Sequence, residues 1–140
     1  MEFIKSTTAR NEWSSVLESV IREKPAFIKK TRDFLFLSEL GVMETLLTAY
    51  GFNAVFYTEN DGSITLSLDE IDLVENAPDI GEASQKLAEA ILEYSEDYYR
   101  DFSFWSRGER VSHVPYVIKA LILGEADKIK EIIKCRPGRN

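Results

Sequence analysis

Cysteine and histidine each occur once in the 140 residues, as Cys135 and His113, and this scarcity closes off most of the chemistry a small protein can perform. A zinc centre needs several such ligands gathered in space, and an internal disulfide needs a second thiol. A Cys–His nucleophilic couple would require two side chains 22 positions apart to meet and the thiol to be acidified. Cys135 instead closes a stripe of Ile129, Ile132 and Ile133, which predicts a buried structural thiol at the end of a helix. His113, just before Val114-Pro115, reads as a helix-entry residue. Only seven glycines and four prolines are present, and no Gly-rich phosphate loop or nucleophile elbow can be traced among them. No apolar run approaches the roughly 20 residues of a membrane span. Met1 to Ser6 lacks the apolar core of a secretory signal. A lone thiol suits a reducing compartment, so the cytoplasm is the expected address. Neither an enzyme activity nor a cofactor is expected.

What the chain does have is apolar surface and an uneven charge. Hydrophobic residues make up 44% and aromatic residues 11%, enough for a packed core. The net charge of −7 conceals three stretches. Residues 1–50 carry seven acidic and seven basic side chains, residues 51–100 twelve acidic and two basic, and residues 101–140 five acidic and eight basic. Such a division suggests separate surfaces with separate partners. A merely solvated acidic helix accounts for the same numbers.

The pattern along the chain predicts an α+β protein. Residues 2–6 read as a short strand, and Thr8 as the N-cap of a helix whose apolar face is Trp13, Val16, Leu17, Val20 and Ile21. Lys24-Pro25 ends that helix. Two apolar runs, 26–30 and 34–38, flank Thr31-Arg32-Asp33 and predict a hairpin. Ser38 can cap a helix carrying Leu40, Met43, Leu46, Leu47 and Tyr50, closed by Gly51. The order is therefore β-α-β-β-α. Residues 53–57 and 63–68 read as strands around Asn60-Asp61-Gly62, and 71–74 as a third, giving a small antiparallel sheet. Asp79 and Glu82 have capping-box spacing at the head of a long helix striped by Leu87, Ile91, Tyr94 and Tyr98. Pro115 opens a further helix, Gly124 separates it from another over 126–133, and Arg136 to Asn140 read as tail. Two domains are expected, residues 1–51 and 52–140.

The opening Met1-Glu2-Phe3-Ile4-Lys5-Ser6-Thr7-Thr8-Ala9-Arg10-Asn11, followed by Leu17-Glu18-Ser19-Val20, resembles Phd/YefM-family antitoxins in motif and in element order over about residues 1–50. That hairpin commonly turns at a glycine; here Thr31-Arg32-Asp33 stands instead. The resemblance implies a homodimer that binds operator DNA through the strand–helix junction. Lys5, Thr7, Thr8, Arg10, Asn11, Lys29, Lys30 and Arg32 are the candidate DNA contacts. Arg10, read as lying at a helix start, sits where the dipole disfavours a cation unless an anion arrives. It could equally pair with Glu2. Homodimerisation would also cover Phe34-Leu35-Phe36-Leu37, which is apolar on both faces of its strand.

Downstream, Leu68-Asp69-Glu70-Ile71-Asp72-Leu73 with Gly81-Glu82-Ala83 resembles HicB-type antitoxin domains. Tyr94 to Phe102 with His113 to Ile118 is similar to RelB-like antitoxins. Because HicB domains are related to a ribonuclease H fold, Asp69, Glu70 and Asp72 must be weighed as a Mg²⁺ site. Strand alternation points Asp69 and Glu70 to opposite faces, so turn and capping roles fit better. The resemblance implies binding of a toxin, a ribonuclease being the expected type. Glu89, Glu93, Glu96, Asp97, Tyr99, Asp101 and Trp105 are the candidate contacts: carboxylates to steer a basic protein and aromatics to anchor it. The rival readings are a partner-binding module that never touches DNA, and a ligand-binding or metal-dependent nuclease domain.

Overall fold

The computed structural model describes residues 1–139 as two compact units, 1–46 and 47–139. The first unit runs β1 (Ile4–Lys5), α1 (Ser6–Asn11), α2 (Trp13–Arg22), β2 (Ala26–Lys30), β3 (Asp33–Leu37) and α3 (Leu40–Leu46). The expected β-α-β-β-α order is present, with the first helix broken at Glu12. That helix begins at Ser6, with Lys5 as a cap that makes no side-chain bond, so Thr8 lies inside α1 and does not cap it. Lys24-Pro25 stops α2 as expected, because the residue before a proline is pushed out of the helical region. The three strands lie in the order β1-β2-β3, β1 parallel and β3 antiparallel to β2. Ala9, Val16 and Val20 pack on Ala26 and Ile28, with Ile4 and Leu37 closing the edges. This core is small. Helix α3 stops at Leu46, four residues short of Tyr50.

The hairpin turns through Thr31-Arg32, with Lys30 opposite Asp33. Thr31 has φ 55°, the left-handed region that a β-branched side chain avoids. Left-handed backbone costs an L-residue roughly 1–2 kcal/mol, against about 0.5–1 kcal/mol for the extra freedom of glycine. Thr31→Gly is therefore expected to stabilise the unit by about 0.5–1 kcal/mol, seen as a Tm increase of a few degrees. A lower Tm would disprove the strain.

The second unit contains β4 (Phe52–Thr58), β5 (Ile64–Leu68), β6 (Val74–Ala77), α4 (Ile80–Arg100), α5 (Phe102–Trp105), a 3₁₀ turn (Val111–His113), α6 (Val114–Leu123), α7 (Ala126–Ile132) and β7 (Ile133–Pro137). The β4–β5 turn follows its sequence: Gly62 takes φ 86°, and Asp61 Oδ1 accepts from Ser63 N and Oγ at 2.9 and 2.6 Å. Asp79 caps α4 by accepting from Glu82 N at 2.9 Å. Pro115 lies in the first turn of α6, and Gly124 ends it in the left-handed conformation at φ 73°.

Several expectations are overturned in this unit. The third strand is Val74–Ala77 and not 71–74, because Ile71 is spent as a core plug, 1% exposed, in the loop before it. Residues 133–137 are neither helix nor tail: they form β7, parallel to β4 in the register Phe52↔Ile133 to Phe56↔Pro137. Sheet order is β6-β5-β4-β7, so the sheet is mixed, its last strand delivered by the helical crossover α4 to α7. Pro137 is tolerated because its missing N–H falls on an edge strand. Cys135, in this strand, is an exposed free thiol, which corrects the buried-thiol expectation. One face of the sheet carries the core, where Phe52, Ala54, Leu66 and Leu68 meet Ala83, Leu87, Ala88 and Ile91 of α4, with Ala120 and Ile129 from the later helices.

Candidate interaction surfaces

In the first unit, strand register assigns the basic side chains. Lys5 lies opposite Lys29, and β1 ends there, so α1 starts beside the hairpin tip that carries Lys30 and Arg32. Thr7, Thr8, Arg10 and Asn11 are all exposed on α1. Arg10 does not sit at a helix start, however: it occupies the last turn of α1, where the dipole favours a cation and calls for no incoming anion. Arg10 is exposed and makes no ion pair among the described residues, with Glu2 or any other acid. It borders an apolar groove of about 660 Å³ lined by Ala9, Trp13, Ile28, Leu35 and Leu37.

The sheet face turned away from the helices is aromatic. Phe3, Phe27, Phe34 and Phe36 share it, with Phe3–Phe34 and Phe27–Phe36 centroids both 5.1 Å apart. Phe34 is 59% and Phe36 41% exposed. Lys29 Nζ lies 5.5 Å from the Phe34 ring. On so small a unit these rings make an unusually concentrated apolar patch.

In the second unit, Glu89, Glu93, Glu96 and Asp97 lie exposed along one side of α4, at spacings that make a single row. Glu89 accepts from Gln85 Nε2 at 3.2 Å, and Asp97 pairs with Arg100 at 2.8 Å in a fully wet setting worth little stability. Asp101 ends the helix, its carbonyl accepting from Phe104 N and Trp105 N. Tyr99 is 63% exposed, whereas Trp105 is half-buried. Tyr98 is core, as expected, and Tyr94 is partly buried at its rim.

Arg110, which the sequence leaves inside an undistinguished polar loop, organises this end. Its Nη1 donates to Tyr94 Oη at 3.0 Å, and its carbonyl accepts from Tyr98 Oη at 2.7 Å. The guanidinium lies 5.7 Å from the Tyr94 ring and 5.5 Å from that of Trp105. Tyr94 Oη and His113 Nδ1 are 2.7 Å apart. Arginine can only donate, so Tyr94 Oη is an acceptor toward Arg110, and the direction of its bond to His113 follows the histidine tautomer. Burial is the main cause holding the His113 pKa below its ordinary value; the Arg110 charge acts the same way and Asp72 opposes both. A histidine with a depressed folded-state pKa contributes stability above pH ~6.5 that is lost as the pH falls below it, since the unfolded chain takes up the proton first. Tm should therefore fall between pH 7.5 and 5.5 more steeply for the wild type than for His113→Gln. Parallel curves would exclude the histidine.

Two of the three acids weighed as a metal site have other occupations. Asp69 pairs with Arg136 of β7 at 2.8 Å. Glu70 accepts from Asn53 N and Nδ2, tying the loop after β5 to the start of β4. Among the described residues no group of His, Cys, Asp and Glu is placed to hold a metal, and no helix is long and apolar enough to cross a membrane.

Residues 1–135 match the model of the Phd-like family, described as the antitoxin of RelE/RelB toxin–antitoxin systems, and the chain belongs to that family. It is similar to a crystal structure from Syntrophomonas wolfei subsp. wolfei, described as the antitoxin part of a proposed toxin/antitoxin system, with 33% identity and a TM-score of 0.92 over 99% of this chain and 100% of the other. No curated protein matches it.

Proposed function

We propose that this antitoxin dimerises through its first unit, binds operator DNA there, and neutralises a basic ribonuclease toxin with its acidic second unit. It acts by binding, without catalysis. The observation that carries the DNA half is the register Lys5↔Lys29, which sets those two cations side by side where β1 runs into α1, with Lys30 on the other face of β2, Arg32 at the turn, and Thr7, Thr8, Arg10 and Asn11 following on the helix. Lysines there would meet phosphates, and an unpaired Arg10 is free to reach a guanine edge. The aromatic face Phe3/Phe27/Phe34/Phe36 supplies the homodimer contact, sheet against sheet at about 10 Å, with Lys5 and Lys29 of the same face at its margin toward the hairpin tip, and two-fold symmetry then suits a palindromic operator.

The toxin half rests on family membership together with the carboxylate row of α4. A ribonuclease binds a polyanion and so presents positive charge, which Glu89, Glu93, Glu96, Asp97 and Asp101 complement. The test is direct. The protein should rescue growth of cells expressing the toxin from the adjacent gene. It should also retard DNA from its own promoter in a salt-sensitive way, with Arg10→Ala weakening that binding about 10-fold or more. Rescue without any promoter binding would leave a neutralising module that does not touch DNA. Failure to rescue would remove the toxin half.

A further inference from the structure

Tyr99 and Phe104 are large rings that the core does not use: they are 63% and 64% exposed, at the C-terminal end of α4 and in α5. They are not isolated. Tyr99 contacts Phe102 at 6.3 Å, Phe102 contacts Tyr98 at 5.7 Å, Tyr98 stacks on Trp105 at 6.5 Å, and Trp105 meets Phe104 at 4.9 Å. The ladder therefore runs from a fully buried tyrosine out to two rings standing in water. Arg110 fixes its base from three sides, through Tyr94, Tyr98 and Trp105. A rigid, pre-positioned aromatic projection loses little entropy on being covered, which is the property of interface anchors. Carboxylates stand around it: Glu96, Asp97 and Asp101 are all exposed.

We infer that this ring cluster, centred on Phe104 and Tyr99, is the anchor by which the second unit holds its toxin, and that the α4 carboxylates steer and do not grip. The inference rests on the toxin-neutralising reading above. Its occupant is a basic protein surface with an apolar cleft: a second copy would set Glu96, Asp97 and Asp101 against their own equivalents, whereas cationic side chains around a cleft would pair with them. The two roles separate kinetically. Losing an apolar anchor raises the dissociation rate, and losing rim charge lowers the association rate and its salt dependence.

The experiment measures binding of the adjacent-gene toxin to immobilised full-length antitoxin, wild type against Phe104→Ser, Tyr99→Ser and the double charge variant Glu89→Gln/Glu93→Gln. Both rings are exposed, so the variants should fold, which circular dichroism checks; each ring stands as the fallback for the other. Each ring variant is expected to bind about 30-fold more weakly through faster dissociation, with its salt dependence kept. The charge variant should associate more slowly and dissociate at the wild-type rate. Wild type and both ring variants binding within threefold of one another would overturn the anchor while leaving the toxin reading intact. A wild-type protein that does not bind the toxin would overturn both.

Discussion

Phe34→Glu is expected to leave a folded monomer whose operator affinity is lower by at least about 100-fold, because two linked half-site contacts become one. The residue is 59% exposed within one chain, so the substitution asks little of the unit itself. Across a two-fold interface it would seat two carboxylates among the Phe3, Phe27 and Phe36 rings of both copies, where the apolar contact is lost and the desolvation of a buried charge outweighs what Lys29, directly opposite, returns by pairing with it. Sedimentation of the two proteins at equal concentration reads the first consequence and a promoter gel shift the second. A dimeric Phe34→Glu protein would place the homodimer contact elsewhere, and the partly exposed face of α2, where Trp13, Leu17 and Ile21 are 46%, 36% and 63% exposed, would be examined next.

The second large effect concerns Phe52. Its side chain is fully buried in the second core, on the central strand β4, which β5 and β7 flank. Removing a ring from a site held on all sides leaves a cavity that cannot collapse, at a cost of about 3–5 kcal/mol. For a unit of this size that corresponds to roughly 15–30 °C in Tm. Toxin binding at ambient temperature should survive in proportion to the folded fraction. A Tm drop of only a few degrees would mean that the core around Phe52 is looser than its full burial implies.

Periodic apolar faces made most of this architecture readable from residues alone. Val16 and Val20 on α2 and Leu87 and Ile91 on α4 are the buried stripes that their spacing announces, and Asn60-Asp61-Gly62 and Asp79 act locally as their side chains dictate. The errors have a shared cause, which is that non-local pairing has no local signature. Ile129, Ile132 and Ile133 keep helical spacing up to the residue at which the chain straightens; only the open edge of β4, some eighty positions earlier, makes a strand of the five residues from Ile133 to Pro137. The break at Glu12 likewise moves Arg10 from the start of one helix to the end of another. Of the interaction surfaces, the acidic row on α4 and the basic side chains of the hairpin were visible as composition. Arg110 was not, since one arginine in a polar loop gains meaning only when Tyr94, Tyr98 and Trp105 are folded around it.

The parallel pairing of β7 with β4 has a consequence for how the protein is made. Translation supplies the first unit early and whole, so its small core can form while the ribosome is still at work. The second sheet is different: the flank of β4 stays bare until Ile133 to Pro137 emerge, after every helix of the crossover. A chain broken off before Ile133 would retain the basic junction of the first unit and lose the Arg136–Asp69 tie along with the strand. Truncated products would therefore keep the first unit whole and leave the second without its last strand, which separates the fates of the two units by nothing more than the order in which the residues appear.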